Sequence, residues 1–200
     1  MIPTRREIEN ELKSAGQLNP GPWVEHAMNV GKAAEAIAKQ CRNMDSEKAY
    51  ILGCMHDIGR RVGVVGVKHI IAGYDYSMSK GWDEAARVCL THSYPVQDIT
   101  KEIGKFDITE SQYKVIDEFL KSVTYDDYDR LIILCDSLAM AEGFCILEKR
   151  FVDTTRRYGI FPFTVERWNA VIEIKEYFEN LAGCSVYDIL QNVNGTRFIF

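Results

Sequence analysis

Several things are missing from this chain, and each absence removes a class of explanation. No CxxC pair occurs among the six cysteines, Cys41, Cys54, Cys89, Cys135, Cys145 and Cys184. They are widely scattered, and four of them fall inside apolar helical patterns, which is the usage of reduced, packed thiols in a reducing compartment. No apolar run approaches the length of a membrane span. The N-terminal stretch MIPTRREIENELKSAG is charged and helix-like rather than a secretory signal. Together these give the expectation of a cytoplasmic protein with no membrane partner. Excess positive charge is also lacking: a net charge of -5 offers no whole-molecule attraction to nucleic acid, so none is expected as partner. Phosphate chemistry would need a local cluster of cations, or metal ions. Runs of alternating β-branched residues do not appear, and neither does a Pro/Ser-rich linker or a shift in composition, so a single domain is the economical reading.

What is present is ordinary in bulk and helical in pattern. Hydrophobic residues make up 46% and charged residues 26% of the chain, the shares of a globular protein able to bury a core. Thr4 with Glu7 three residues later forms a capping-box start for a first helix that Gly16 closes. After NPGP a long helix runs from about Trp23 to Arg42. Asp45 or Ser46 caps the next, which reaches Asp57 and ends at Gly59. GVVGV is a loop, followed by short helices around His69 to Lys80 and Asp83 to His92, with Pro95 as a stop. Thr109 to Gln112 opens another. Further helices are expected near Asp127 to Glu142, Ile146 to Tyr158, Val165 to Ala182 and Ser185 to Gln191. The fold class is therefore all-α, a bundle of roughly eight to ten helices.

The chain has only four histidines. His26 continues the apolar row Val30, Ala33, Ile37, so the 3.6-residue period turns it inward. His56 continues Ala49, Leu52 and Gly53 in the same way, and His92 continues Ala85, Val88 and Cys89. His69 begins its segment, and the period does not fix its direction. One inward histidine is usually a hydrogen-bonded core residue, but three on three helices call for a shared explanation. Asp136 adds an independent one, because it is alone in LIILCDSLAMA among apolar and small residues. A buried carboxylate without a partner costs several kcal/mol. Asp136 must therefore be protonated, paired with a basic side chain from another helix, or bound to a cation.

Imidazole and carboxylate without thiolate suit iron, manganese, nickel or zinc rather than a structural zinc. With Asp57, the carboxylate side by side with His56, there are six such ligands, too many for one metal with an open position. They suit two metals about 3.5–4 Å apart that share a carboxylate and a hydroxide.

The order His26, His56-Asp57 followed by Ile58-Gly59, then His69, His92 and Asp136 resembles the HD-domain metal-dependent phosphohydrolases. More narrowly, the pair His69 and His92 is similar to the branch with a two-metal centre that includes bacterial hydrolases of diadenosine tetraphosphate. The resemblance covers about residues 23–143. It implies an HD-domain helical bundle over residues 1–200, with the helices of 144–200 packed on that core. It implies that His26, His56, Asp57 and Asp136 hold a first metal, that Asp57 bridges, and that His69 and His92 complete a second site. The ions it implies are two divalent transition metals, iron or manganese first, then nickel, cobalt or zinc. The family often has Lys after HDIG, whereas this chain has Arg60, a planar fork in place of a point charge.

The activity implied is hydrolysis of a phosphate ester or anhydride in a small phosphorylated substrate, most plausibly a nucleotide or dinucleoside polyphosphate. Asp57 is then the bridging catalytic ligand. Arg60, Arg61 and Lys68 flank the ligands in sequence and are candidates for binding the substrate, Arg60 and Lys68 also for catalysis. EKRFVDTTRR places Lys149 with Arg156, and Arg150 with Arg157, on one basic helix face. Arg150 is a further candidate for substrate binding, against the plainer reading of a solvated face with pairs such as Arg150 with Asp153. Trp23, one turn before His26, and the aromatics of YDY after His69 are read as core rather than as stacking partners. Two alternatives use the same ligands: a di-iron oxygenase, and a non-catalytic module that holds a nucleotide. The amphipathic C-terminal stretch is expected to pack on the core or to form a homodimer surface, and the apolar tail NGTRFIF to dock.

Overall fold

Helix starts in this chain are written by side chains that satisfy the first free N–H groups. In the computed structural model, which describes residues 1–190, 192 and 193, Thr4 and Glu7 close a capping box on helix α1 (Arg5–Leu18). Asp45 accepts from Glu47 and Lys48 at the start of α3 (Ser46–Met55). Thr109 with Gln112 and Asp126 with Asp129 do the same for α6 (Glu110–Ser122) and α7 (Asp127–Leu138). Between them lie α2 (Trp23–Gln40), α4 (Lys68–Ser79) and α5 (Asp83–Thr91). After α7 come α8 (Leu147–Tyr158), α9 (Thr164–Ala182) and the short α10 (Val186–Ile189). The architecture is all-α, with one minor exception. The tail NGTRFIF, expected to dock, lies outside the described residues.

Several boundaries differ from the sequence reading. Gly16 does not end α1, which continues to Leu18. Helix α3 stops at Met55, so His56 is its cap and Asp57, at φ -106° and ψ 13°, has already left the helix. Ile58–Val62 then forms a 3₁₀ turn. Helix α7 stops at Leu138 rather than near Glu142. Ala139–Met140 (β1) pairs antiparallel with Gly143–Phe144 (β2), and Asn29 of α2 donates to the carbonyls of Met140 and Ala141 at 2.9 and 3.1 Å. Ala141 and Glu142 make the turn, and Gly143, which opens β2, takes a φ of +132°. Two-residue strands carry no periodicity from which to expect them.

Close backbone contact sets the frame of the site. Helices α2 and α3 cross where Gly31 faces Gly53, and a Cβ on Gly53 would stand 2.7 Å from the Gly31 Cα. Helix α7 packs against α2, α3, α5 and α9, with Leu131, Ile132, Ile133, Leu134, Cys135 and Leu138 buried. A buried ion pair ties α5 to α7. Asp129, fully enclosed, accepts from Arg87 Nε at 3.0 Å and Thr91 Oγ1 at 2.9 Å. That pair fixes the ends of the helices bearing His92 and Asp136. Five cysteines are buried and Cys184 is exposed, all as free thiols. No helix among the described residues is long and apolar enough to cross a membrane.

Candidate metal centre

Five helices deliver six side chains to one place. His26 comes from the first turn of α2, His56 and Asp57 from the end of α3, and His69 from the first turn of α4. His92 caps α5, and Asp136 lies in the last turn of α7. Asp57 is the centre of the group. Its Oδ2 lies 3.6 Å from His56 Nε2, and its Oδ1 lies 3.3 and 3.7 Å from the Nε2 atoms of His69 and His92. Asp136 Oδ1 is 2.9 Å from His26 Nε2 and 3.9 Å from His56 Nε2. Two sets that can hold a metal therefore meet at Asp57: His26, His56 and Asp57, and Asp57, His69 and His92.

Hydrogen bonds fix the protons of three of the imidazoles. Nδ1 of His56 lies 2.6 Å from the Gly53 carbonyl, that of His69 2.6 Å from the Gly66 carbonyl, and that of His92 3.0 Å from the Cys89 carbonyl. A carbonyl only accepts, so each Nδ1 carries the hydrogen. Burial pushes all three imidazoles below the usual histidine range, and His69 falls to about 3, with the positive charge of Arg60 adding to burial. All three are therefore neutral, with a bare lone pair on Nε2. The Nε2 atoms of His69 and His92 face each other at 3.2 Å. His56 Nε2 and Asp57 Oδ1 are enclosed and have no hydrogen-bond partner.

The Ser93 hydroxyl stands 3.2 Å from His92 Nε2 and can donate to it, but the remaining acceptors face one another unfavourably, and a cation among them removes the conflict. This is the arrangement in which the outer nitrogen of a metal-binding histidine is pinned and the inner one is aimed. Burial works to raise the carboxyls of Asp57 and Asp136 but is outweighed. The Arg60 guanidinium holds Asp57 well below the usual carboxylate range, and the contacts with His26 and Arg150 hold Asp136 below it. The buried His/Asp clusters thus fit a metal ion by donor type and protonation.

Above this group opens a cavity of about 580 Å³. Arg60 lines it and places Nε 2.5 Å from Asp57 Oδ2. Asn19 holds the turn by donating to the Arg60 carbonyl at 2.7 Å. Arg150 also lines the cavity, with Nη2 3.4 Å from Asp136 Oδ1. Of the alternatives open for Asp136 from sequence, the basic partner on another helix is therefore present, beside a histidine. The expected solvated pair of Arg150 with Asp153 is made instead by Arg157, at 2.8 Å.

Two expectations need correction. Arg61 does not face the cavity: its guanidinium lies 3.6 Å from Glu11 and 3.8 Å above the Tyr76 ring, against α1. Lys68 is exposed and is not part of the cavity wall; its backbone N–H donates to Asp107 at 2.9 Å. Trp23 lines the cavity but is 8% exposed, belongs to the core and donates to the Asn19 carbonyl, and the ring of Tyr76, which donates to Glu11, is covered on one face by Arg61.

Three residues that position the site went unread in the sequence. Asp107 accepts from Gly66 and Lys68 and so anchors the start of α4 beside His69. Arg167 of α9 donates to the carbonyls of Ser93 and Lys101 at 3.1 and 2.7 Å, and Ser93 Oγ lies 3.2 Å from His92 Nε2. Trp168 lines the cavity. All three act across long sequence separations that carry no local pattern.

Residues 7–91 match the family model of the HDOD domain, a relative of the HD domain. The matched segment carries His26, His56, Asp57 and His69 and ends just before His92. The match supports an HD-like family without singling out the dinucleoside polyphosphate branch. No curated protein and no solved structure matches the chain.

Proposed function

We propose that this protein is a metal-dependent phosphohydrolase acting on a small phosphorylated molecule through two divalent transition metals, iron or manganese in the first instance. The observation that carries this reading is the set Asp57 Oδ1, His69 Nε2 and His92 Nε2: three acceptor atoms in mutual contact, at the floor of a cavity lined by four arginines, of which Arg60 and Arg150 reach the Asp57 and Asp136 carboxylates. His26, His56, Asp57 and Asp136 would hold one ion, and Asp57, His69 and His92 the other, with Asp57 shared. Ions bound there supply positive charge against a phosphoryl group and acidify water to near neutrality.

The chain's own residues do the rest. The carbonyls of Gly53, Gly66 and Cys89 keep the Nε2 lone pairs aimed inward. Arg60 is committed to Asp57 only through Nε, and its two Nη nitrogens have no protein hydrogen-bond partner among the described residues. They are free to donate to phosphate oxygens, as charged, forked donors do best. Arg150 stands likewise on the side of Asp136. A non-catalytic HD-like module is the second reading, favoured by the HDOD match, since proteins of that kind are often non-catalytic.

The test is phosphate release from a panel of nucleotides, dinucleoside polyphosphates and simple phosphoesters. The protein is stripped and reloaded anaerobically with Fe²⁺, Mn²⁺, Co²⁺ or Ni²⁺, and Asp57→Asn serves as control. Metal-dependent release that the control lacks supports the hydrolase. Oxygen consumption without phosphate release points to the oxygenase, and tight nucleotide binding without turnover points to the module.

A further inference from the structure

Tryptophan is used in two ways in this chain. Trp23 and Trp82 belong to the buried core, 8% exposed each, although Trp23 also lines part of the cavity. Trp168, on α9, lines the cavity above the His/Asp group as well, but belongs neither to that core nor to the hydrophobic residues packed against it. Its ring is stacked on Phe151 of α8, with centroids 5.3 Å apart and planes within 6°, and Phe151 lines the same cavity. A large aromatic that core packing does not account for, held flat against a second ring inside a cavity, is a ready platform for another flat ring.

The neighbours of these rings fix what is attached to such a ligand. Arg150 directly precedes Phe151, and adjacent side chains on a helix diverge by about 100°. Arg150 accordingly reaches Asp136 at the floor while Phe151 meets Trp168. Arg167 directly precedes Trp168 and is spent on the carbonyls of Ser93 and Lys101, which holds that part of α9 over the cavity. The anion-binding end and the ring-binding end therefore share two adjacent residues of α8. Both elements lie outside the segment that matches the HDOD family model.

We infer that the α8–α9 arm reads the substrate, and that Trp168 and Phe151 select molecules in which a phosphate is joined through a short spacer to a planar, base-like ring. This rests on the phosphohydrolase reading for the phosphate end only.

Calorimetry on the Mn²⁺-loaded full chain tests it, using hydrolysis-resistant phosphonate isosteres of adenosine 5′-monophosphate and of ribose 5-phosphate, with adenosine alone as a third probe. Stacking on an aromatic side chain is worth roughly fivefold to a hundredfold in affinity. The ring-bearing isostere is expected to bind more tightly than the sugar isostere by that factor. In Trp168→Leu it should fall to the sugar isostere's level while the sugar isostere is unchanged, and Trp168→Tyr should restore most of the difference. Equal affinities for the two isosteres in the unmodified protein would overturn the inference while leaving the phosphohydrolase standing. Adenosine binding that Trp168→Leu abolishes, with no binding of the sugar isostere, would keep the ring platform and remove the phosphohydrolase. No binding by any probe would overturn both.

Discussion

Gly59 lies so close to His69 that a side chain there would put its Cβ 1.9 Å from the His69 carbonyl oxygen and 2.4 Å from the Gly73 nitrogen. The glycine after His56-Asp57-Ile58 is thus required by contact with α4, and its φ is not among the positive ones. The clash is with backbone, which cannot turn aside as a flexible side chain would. Gly59→Ala must push α4 away from the turn that carries Asp57, at about 3 kcal/mol or more, the upper range of overpacking. For a chain of this size that lowers Tm by about 6–12 °C. A thermal scan showing a change within about 2 °C would refute the contact. The same displacement carries His69 off Asp57, so metal bound per chain should drop as well.

Asp57 is the only side chain common to both candidate metal sets. Asp57→Asn keeps the volume but removes the charge that faces His56 on one side and His69 and His92 on the other. A neutral amide also places an N–H₂ donor among acceptors, which relieves their conflict without any ion. The expected result is loss of both metal equivalents by elemental analysis, together with any phosphate release. One equivalent retained in full would show that the two sites do not share this ligand.

The parts of the fold that could be read in the sequence are those where a local period decides. His26, His56 and His92 each extend an apolar row on their own helix, and all three reach the centre. His69 has no such row, and its place is set by Gly59 and Gly66 from outside its helix. Arg61 was misplaced because closeness along the chain does not give direction. Consecutive residues of a 3₁₀ turn diverge by about 120°, so Arg60 enters the cavity and Arg61 points to Glu11. Lys68 precedes His69 on α4 and diverges from it similarly. Arg150 and Trp168 were legible only as parts of amphipathic faces, because the fold alone decides which residue of a face meets the cavity.

Asp107 shows how charge supports the site from a distance. Burial tends to raise its carboxyl, but the N–H groups of Gly66 and Lys68 outweigh this and hold it below its ordinary value. A carboxyl depressed in the folded state adds stability that is fully present above its unfolded pKa of about 4 and is lost as pH falls through the folded value. Asp107→Asn should therefore lower the unfolding free energy from urea titration at pH 7 by about 1 kcal/mol, the order expected for hydrogen bonds to a partly exposed acceptor. The gap between variant and parent should close as the pH is taken below about 4. A gap that stays constant down to pH 3 would mean that the charge of Asp107 contributes nothing.

Arg167 is a positioning residue for the second set of ligands. Its fork grips the carbonyls of Ser93 and Lys101, and the Ser93 hydroxyl lies beside the nitrogen with which His92 faces His69. Removing the fork frees the segment that follows His92 while leaving His26, His56 and Asp136 untouched. Partners of this outer kind are worth roughly tenfold or more in metal affinity. In Arg167→Ala the second metal equivalent should weaken by that factor, with the first unchanged, in a competition titration against a chelator. Arg167→Lys tests whether shape matters. A lysine keeps the charge but offers a single point of donation, so it holds one carbonyl and releases the other. Full recovery by lysine would show that charge alone suffices, and equal weakening of both metal equivalents would show that Arg167 supports the fold generally rather than His92.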